Sequence, residues 1–283
     1  MRMQDKVAVI TGGGSGIGKR TVERFVEEGG RAVIAEIRDA SGKTLAARLG
    51  EAARFIHCDV TVEADVEAAV ALAVSTWGRL DLMFNNAGGP GAPDPIESMP
   101  VNSWDATMNL LLRSVMLGIK HAAPVMKRQG YGSIVSTSSV AGLIPGSTAA
   151  AYGVAKAGVL FLTKAAALEL ASHRIRVNCI CPGLIATPIF TRSMELPSQL
   201  VDRVVEEAAP VLEKSQPLPR GGKPDDIAEG VLFLADDRAA FITGIALPID
   251  GGFAAGLHPV HRDQVWAPVR AAVLAAAEGE KRR

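Results

Sequence analysis

The stretch that decides the fold is "VITGGGSGIG", residues 9–18. An apolar, β-branched run stops abruptly in glycine: Gly12, Gly13, Gly14, Gly16 and Gly18, with Ser15 and Ile17 between them. Glycine is the costliest residue to order, so so dense a cluster implies a backbone that something must approach closely. The pattern downstream of Gly16 is helical, to about Glu28. The glycines therefore sit between a strand and a helix N-terminus, where unpaired N–H groups and the positive end of the helix dipole attract phosphate. A dinucleotide pyrophosphate is the ligand this loop suggests. The spacing is T-G-x-x-x-G-x-G rather than the general G-x-G-x-x-G.

Outward from this loop, short apolar runs alternate with helical patterns. Strands are expected at 6–11, 31–37, 53–60, 80–88, 132–139, 174–183 and 244–252. Helices are expected at 61–78 with Thr61 as N-cap, over much of 102–128, at 149–171 and at 223–237. The proline-containing stretch 188–222 reads as a mobile excursion. Near-continuous apolar strands alternating with helices imply a parallel sheet covered on both faces. Right-handed crossovers make it α/β, doubly wound and Rossmann-type, with seven strands. Residues 1–255 are expected to form one dinucleotide-binding and catalytic domain, with 256–283 as a C-terminal extension.

The 283 residues are 48% hydrophobic and carry Lys+Arg 30 against Asp+Glu 30, a net charge of zero. That balance argues against a nucleic-acid binder. No apolar run is long enough to span a bilayer, and the opening "MRMQDKVAVIT" lacks the pattern of a signal peptide. Cys179 and Cys181 form a C-x-C in a strand, where alternate residues share a face and cysteine packs as a small hydrophobe. With Cys58 they suggest a reduced, cytoplasmic protein. His258 and His261 lack further ligands, so no metal is expected.

Glu36 ends the second strand, eighteen residues beyond Gly18. An acid there accepts hydrogen bonds from the adenosine ribose hydroxyls and repels a 2′-phosphate, which favours NAD over NADP. Arg38, two residues on, is a cation that can offset that repulsion. Tyr152 and Lys156 lie four apart on a helix and share a face. An ammonium beside a phenol lowers its pKa and poises it as a base. Ser139 is expected at the carboxyl end of the fifth strand, the edge where ligands bind in such sheets.

Taken together, "TGGGSGIG" (11–18), "CDV" (58–60), "NNAG" (85–88), Asn109, Ser139, "YGVAK" (152–156), "PGLIAT" (182–187) and "DGG" (250–252) resemble the short-chain dehydrogenase/reductase family. The resemblance covers about 1–253. It implies an NAD-dependent enzyme interconverting a secondary alcohol and a ketone. Tyr152 would be the general acid/base and Lys156 would lower its pKa and hold the nicotinamide ribose. Ser139 would steady the substrate oxygen, and Asn109 would hold a relay water through its backbone. Gly12, Ser15, Gly16, Ile17 and Gly18 would cradle the pyrophosphate. Asp59 and Val60 would contact the adenine, and Asn86, Ala87 and Gly88 would line the adenosine side. Pro182, Gly183, Ile185 and Thr187 would reach the nicotinamide. A homotetramer built on helices such as 102–128 and 150–172 is also implied.

The substrate pocket is expected among 88–97, 140–146 and 184–215, with Leu143, Ile144, Ile185, Ile189, Phe190 and Met194 as apolar walls. An uncharged, fairly hydrophobic alcohol or ketone follows. Trp266, in the extension, is a candidate for closing that pocket. The alternatives are an NADP-dependent ketone reductase, an epimerase or dehydratase on the same scaffold, and a non-catalytic dinucleotide sensor.

Overall fold

The computed structural model describes residues 1–189, 207, 215–256 and 266–273. Seven strands form one sheet: β1 (Val7–Thr11), β2 (Arg31–Glu36), β3 (Ala53–His57), β4 (Leu82–Asn85), β5 (Gly132–Thr137), β6 (Ile175–Pro182) and β7 (Ala246–Ile249). All pairings are parallel, in the order β3-β2-β1-β4-β5-β6-β7. The order reverses between β1 and β4, and a crevice opens there at the carboxyl ends of the strands.

The period of two along each strand divides the core. Val7 and Val9 of β1 pack on one face with α3 (Glu63–Trp77), α5 (Ser114–Gln129) and α7 (Ala150–Leu170). Ala8 and Ile10 pack on the other with α1 (Gly16–Glu27), α2 (Asp39–Leu49) and the later helix α8 (Pro224–Ala235). Both faces are covered, which is why the strands carry almost no polar alternation.

Two local expectations are corrected, and two features add to the reading. The helix α2 was not foreseen. Thr61 is not an N-cap: Val62 holds that position, and the Thr61 hydroxyl donates to Asp59 Oδ1 at 2.7 Å. The helix expected over much of 102–128 is present and runs without interruption as α4 (Val101–Met108), a π turn at Asn109–Arg113, and α5. The fifth strand stops at Thr137, and Ser139 caps the short helix α6 (Val140–Leu143), accepting from the Ala141 N–H at 3.1 Å.

Most of the excursion at 188–222, including Phe190 and Met194, lies outside the described residues, as do His258 and His261. In the extension, 266–273 form an exposed stretch of helix.

Candidate active site

A cleft of about 430 Å³ opens at the carboxyl edge of the sheet, over the β1/β4 reversal. Gly12, Ser15, Gly16 and Ile17 form one wall. Gly12 and Gly16 have φ of +64° and +52°, the left-handed region that only glycine enters without strain. Ser15 is the N-cap of α1, yet its side chain makes no capping bond, and the first turn contains no acid. The N–H groups of that turn are therefore left for an anion in the cleft, and the cradle fits a pyrophosphate.

Gly18 plays a different part from the one expected. It does not line the cleft; a Cβ there would collide with the Gly12 carbonyl oxygen and stand 2.7 Å from Asn86 Nδ2. Its bare Cα lets α1 press against the loop. The loop is tied to β4 by Asn86, whose Nδ2 donates to Thr11 O at 3.0 Å, and by the Thr11 hydroxyl, which accepts from the Asn86 and Ala87 N–H groups at 2.9 and 3.0 Å. These bonds hold Asn86, Ala87 and Gly88 along the opposite wall.

Glu36 is only 2% exposed and does not open onto the cleft. Its Oε2 accepts from the Gly14 N–H at 3.0 Å. Its Oε1 accepts from the Arg38 N–H and Nε, both at 3.1 Å. The same guanidinium donates to Ser15 Oγ at 2.6 Å. Arg38 thus bridges the acid and the glycine loop. Asp59 also lies off the cleft, with Oδ1 occupied by Thr61. Val60 is buried beside it, in the core cluster.

The chemistry-bearing groups meet deeper in the cleft. Ser139, Tyr152 and Lys156 all line it. Lys156 is 4% exposed; its Nζ donates to Thr137 O at 2.7 Å and lies 5.6 Å from the Tyr152 ring centroid. Burial lowers the Lys156 pKa from its ordinary value to about 8. Burial raises the Tyr152 phenol, and a hydrogen bond with Ser139 pulls the other way. Desolvation is the larger of these two influences on the phenol. Asn109 does not line the cleft; it opens the π turn, and its Oδ1 accepts from Arg113 at 3.0 Å.

Pro182, Gly183, Ile185 and Thr187 complete the wall. A Cβ at Gly183 would stand 2.8 Å from Asp250 Cα, which explains the glycine and one role of "DGG". Ile189 lines the cleft as expected, but Leu143 and Ile144 do not. Sequence reasoning missed Leu111, Ser147, Thr148 and Phe253, all lining residues. Trp266 is half exposed and does not line the cleft. Cys58, Cys179 and Cys181 are buried free thiols, and burial drives the Cys58 thiol up to about 12. Among the described residues, no group of three or more metal-ligating side chains converges, and no helix is long and apolar enough to cross a membrane.

Comparison with known proteins agrees with this geometry. A family model described as "Enoyl-(Acyl carrier protein) reductase" matches residues 12–254. Momilactone A synthase of Oryza sativa subsp. japonica is 41% identical over 255 residues, covering 89% of this chain and 91% of that one. (+)-Borneol dehydrogenase 2 of Salvia officinalis is 38% identical over 271 residues, 95% of each chain. The crystal structure of levodione reductase superposes with a TM-score of 0.79 at 35% identity, covering 90% of this chain and 99% of that one. By the family model and by relatives that span most of its length, the chain belongs to the short-chain dehydrogenase/reductase family of oxidoreductases.

Proposed function

We propose that the protein is an NAD-dependent dehydrogenase interconverting an uncharged secondary alcohol and its ketone, with residues 1–255 as the catalytic unit. The observation that carries this reading is the convergence of Ser139, Tyr152 and Lys156 in one cleft with the glycine loop. Bound in that cleft, the dinucleotide supplies the hydride acceptor or donor. The chain supplies alignment and proton handling.

In this reading Tyr152 takes the substrate's hydroxyl proton during oxidation and returns it during reduction. Ser139 holds the substrate oxygen against the phenol. Lys156, seated under Thr137 O, holds the nicotinamide ribose and biases Tyr152 toward phenolate once dinucleotide and substrate complete the site. The Asn109 carbonyl, at the start of the π turn, holds a water that passes the proton outward. Gly12, Ser15, Gly16 and Ile17 bind the pyrophosphate, with Gly18 supporting them. Asn86, Ala87 and Gly88 line the adenosine side, and Asp59 and Val60 meet the adenine. Pro182, Gly183, Ile185 and Thr187 orient the nicotinamide end.

Glu36 favours NAD, because a 2′-phosphate would approach its carboxylate. For the ribose to reach that carboxylate, the Arg38 side chain turns aside. A second reading, an NADP-dependent ketone reductase, draws support from the same residue: the Arg38 guanidinium already bonds Ser15 in the loop. A homotetramer is the proposed assembly, since Val154, Phe161 and Leu168 form an exposed apolar stripe at seven-residue spacing on α7.

The test is Tyr152→Phe, which leaves the ring and removes the hydroxyl. Turnover of a secondary alcohol falls by roughly 10²–10⁴-fold, while dinucleotide affinity measured by fluorescence stays within about two-fold (0.4 kcal/mol). Turnover close to wild type would rule out Tyr152 as the acid/base.

A further inference from the structure

The hydroxyls that line the cleft can be sorted by what they already bond. Thr137 Oγ1 donates to Asn86 Oδ1 at 3.3 Å, and Ser138 Oγ donates to Lys156 O at 2.8 Å. Ser139 accepts from the Ala141 N–H and bonds Tyr152. Two remain. Ser147 Oγ and Thr148 Oγ1 each reach only a backbone carbonyl, Ile144 O and Ala149 O, both at 3.4 Å. That is well beyond the ~2.7–2.8 Å of a good O–H···O bond. Both hydroxyls stand just before the first turn of α7, which carries Tyr152, where the chain has turned through Pro145 and Gly146.

The cleft that Ser147 and the exposed Thr148 line also has apolar walls. Pro90, Val140, Leu184, Ile189 and Phe253 line the same cleft, and among the described residues Lys156 is its single charged side chain. Phe253 is held by a built turn: the Asp250 carboxylate accepts from the Gly252 N–H at 2.9 Å and the Ala254 N–H at 2.7 Å. An apolar substrate filling this space would strip water from Ser147 and Thr148 and return nothing. Each such unreplaced hydrogen bond weakens binding. A substrate with an oxygen at that position avoids it, and a site of this kind discriminates against the analogue that lacks the oxygen.

We propose that Ser147 and Thr148 form a polar subsite for a second oxygen on the substrate. The preferred substrates are then uncharged cyclic alcohols or ketones bearing an additional hydroxyl or keto group. This inference rests on the oxidoreductase reading above and narrows its substrate class.

The experiment compares kcat/KM for cyclohexanol with kcat/KM for the 1,2-, 1,3- and 1,4-cyclohexanediols, using NAD⁺ and NADP⁺. The probes are assayed on wild type, the double variant Ser147→Ala/Thr148→Val, and the hydroxyl-conserving Ser147→Thr/Thr148→Ser. At least one diol is favoured over cyclohexanol by about ten-fold or more in wild type, equivalent to one lost hydrogen-bond partner. The ratio falls to within about two-fold of unity in the first variant and survives in the second. Equal kcat/KM for diols and cyclohexanol in wild type, or a preference that persists without the two hydroxyls, overturns the subsite. Turnover of no probe by a protein that still binds dinucleotide overturns the alicyclic class and the subsite with it. Failure to bind either dinucleotide strikes the oxidoreductase reading itself.

Discussion

Lys156 is a cation held almost out of water, and burial is the largest influence on its pKa. Its folded pKa is about 8, below the ordinary lysine value of 10.5. Between those values the unfolded chain binds a proton that the folded chain does not, so this group's contribution to stability rises with pH across that window. At neutral pH the burial penalty amounts to about 3 kcal/mol. Lys156→Met removes the titration and loses the constant bond to Thr137. The stability of the variant relative to wild type therefore declines by about 3 kcal/mol between roughly pH 7 and pH 11, measured by denaturant unfolding. A difference that does not change with pH would show that Lys156 is not buried as a cation. At this scale the sequence reveals what is local. Tyr152 and Lys156 share a face because they are four apart on a helix. What the sequence leaves out is set by distant contacts. The Thr137 carbonyl fixes Lys156 from another strand, and Arg38 reaches from Glu36 to Ser15. Ser147, Thr148 and Phe253 enter the cleft only because two separate turns bring them there.

The strands and most helices are legible because a doubly wound sheet buries both faces, leaving unbroken apolar runs. The helix α2 escaped for a physical reason. Its sequence, "DASGKTLAARL", holds Ser41 and Gly42, which read as breakers. Gly42 is tolerated because a side chain there would collide with the Phe55 ring of β3. The π turn at 109–113 has no signature in residue type; it sits within a helix that is otherwise regular and continuous. The glycine loop yields a contrast between neighbours. Gly18→Ala sets a Cβ against the backbone of Gly12, which cannot yield. It lowers unfolding free energy by about 2–4 kcal/mol and weakens dinucleotide binding. Gly14→Ala instead meets side-chain atoms, Ser41 Oγ at 2.6 Å and Glu36 Cγ at 2.8 Å. Ser41 can turn away, but Glu36 is buried and held by three hydrogen bonds, so the cost is about 1–2 kcal/mol, still below that at Gly18. Chemical denaturation of the two variants checks the ranking, and equal losses would mean that α1 does not press on the loop as described.

On the scale of the molecule, the fold brings the glycine loop, Ser139, Tyr152 and Lys156 and an apolar compartment to one edge of one sheet. It also leaves Phe161 and Leu168 76% and 83% exposed on the stripe of α7. Burying two such side chains at an interface is worth about 1.5–3 kcal/mol each. If that stripe is the tetramer contact, Phe161→Asp with Leu168→Glu lowers the mass seen by light scattering from four 29.6 kDa chains to two or one. An unchanged mass would assign assembly to another face. The most direct test of the central claim is a fluorescence titration of the purified protein with NADH and NADPH in parallel. The account predicts NADH binding at least about ten-fold tighter, about 1.4 kcal/mol, because the Glu36 carboxylate meets the ribose and repels a 2′-phosphate. NADPH binding as tightly or more tightly would contradict it, and would assign the site to Arg38 and to an NADP-dependent reductase.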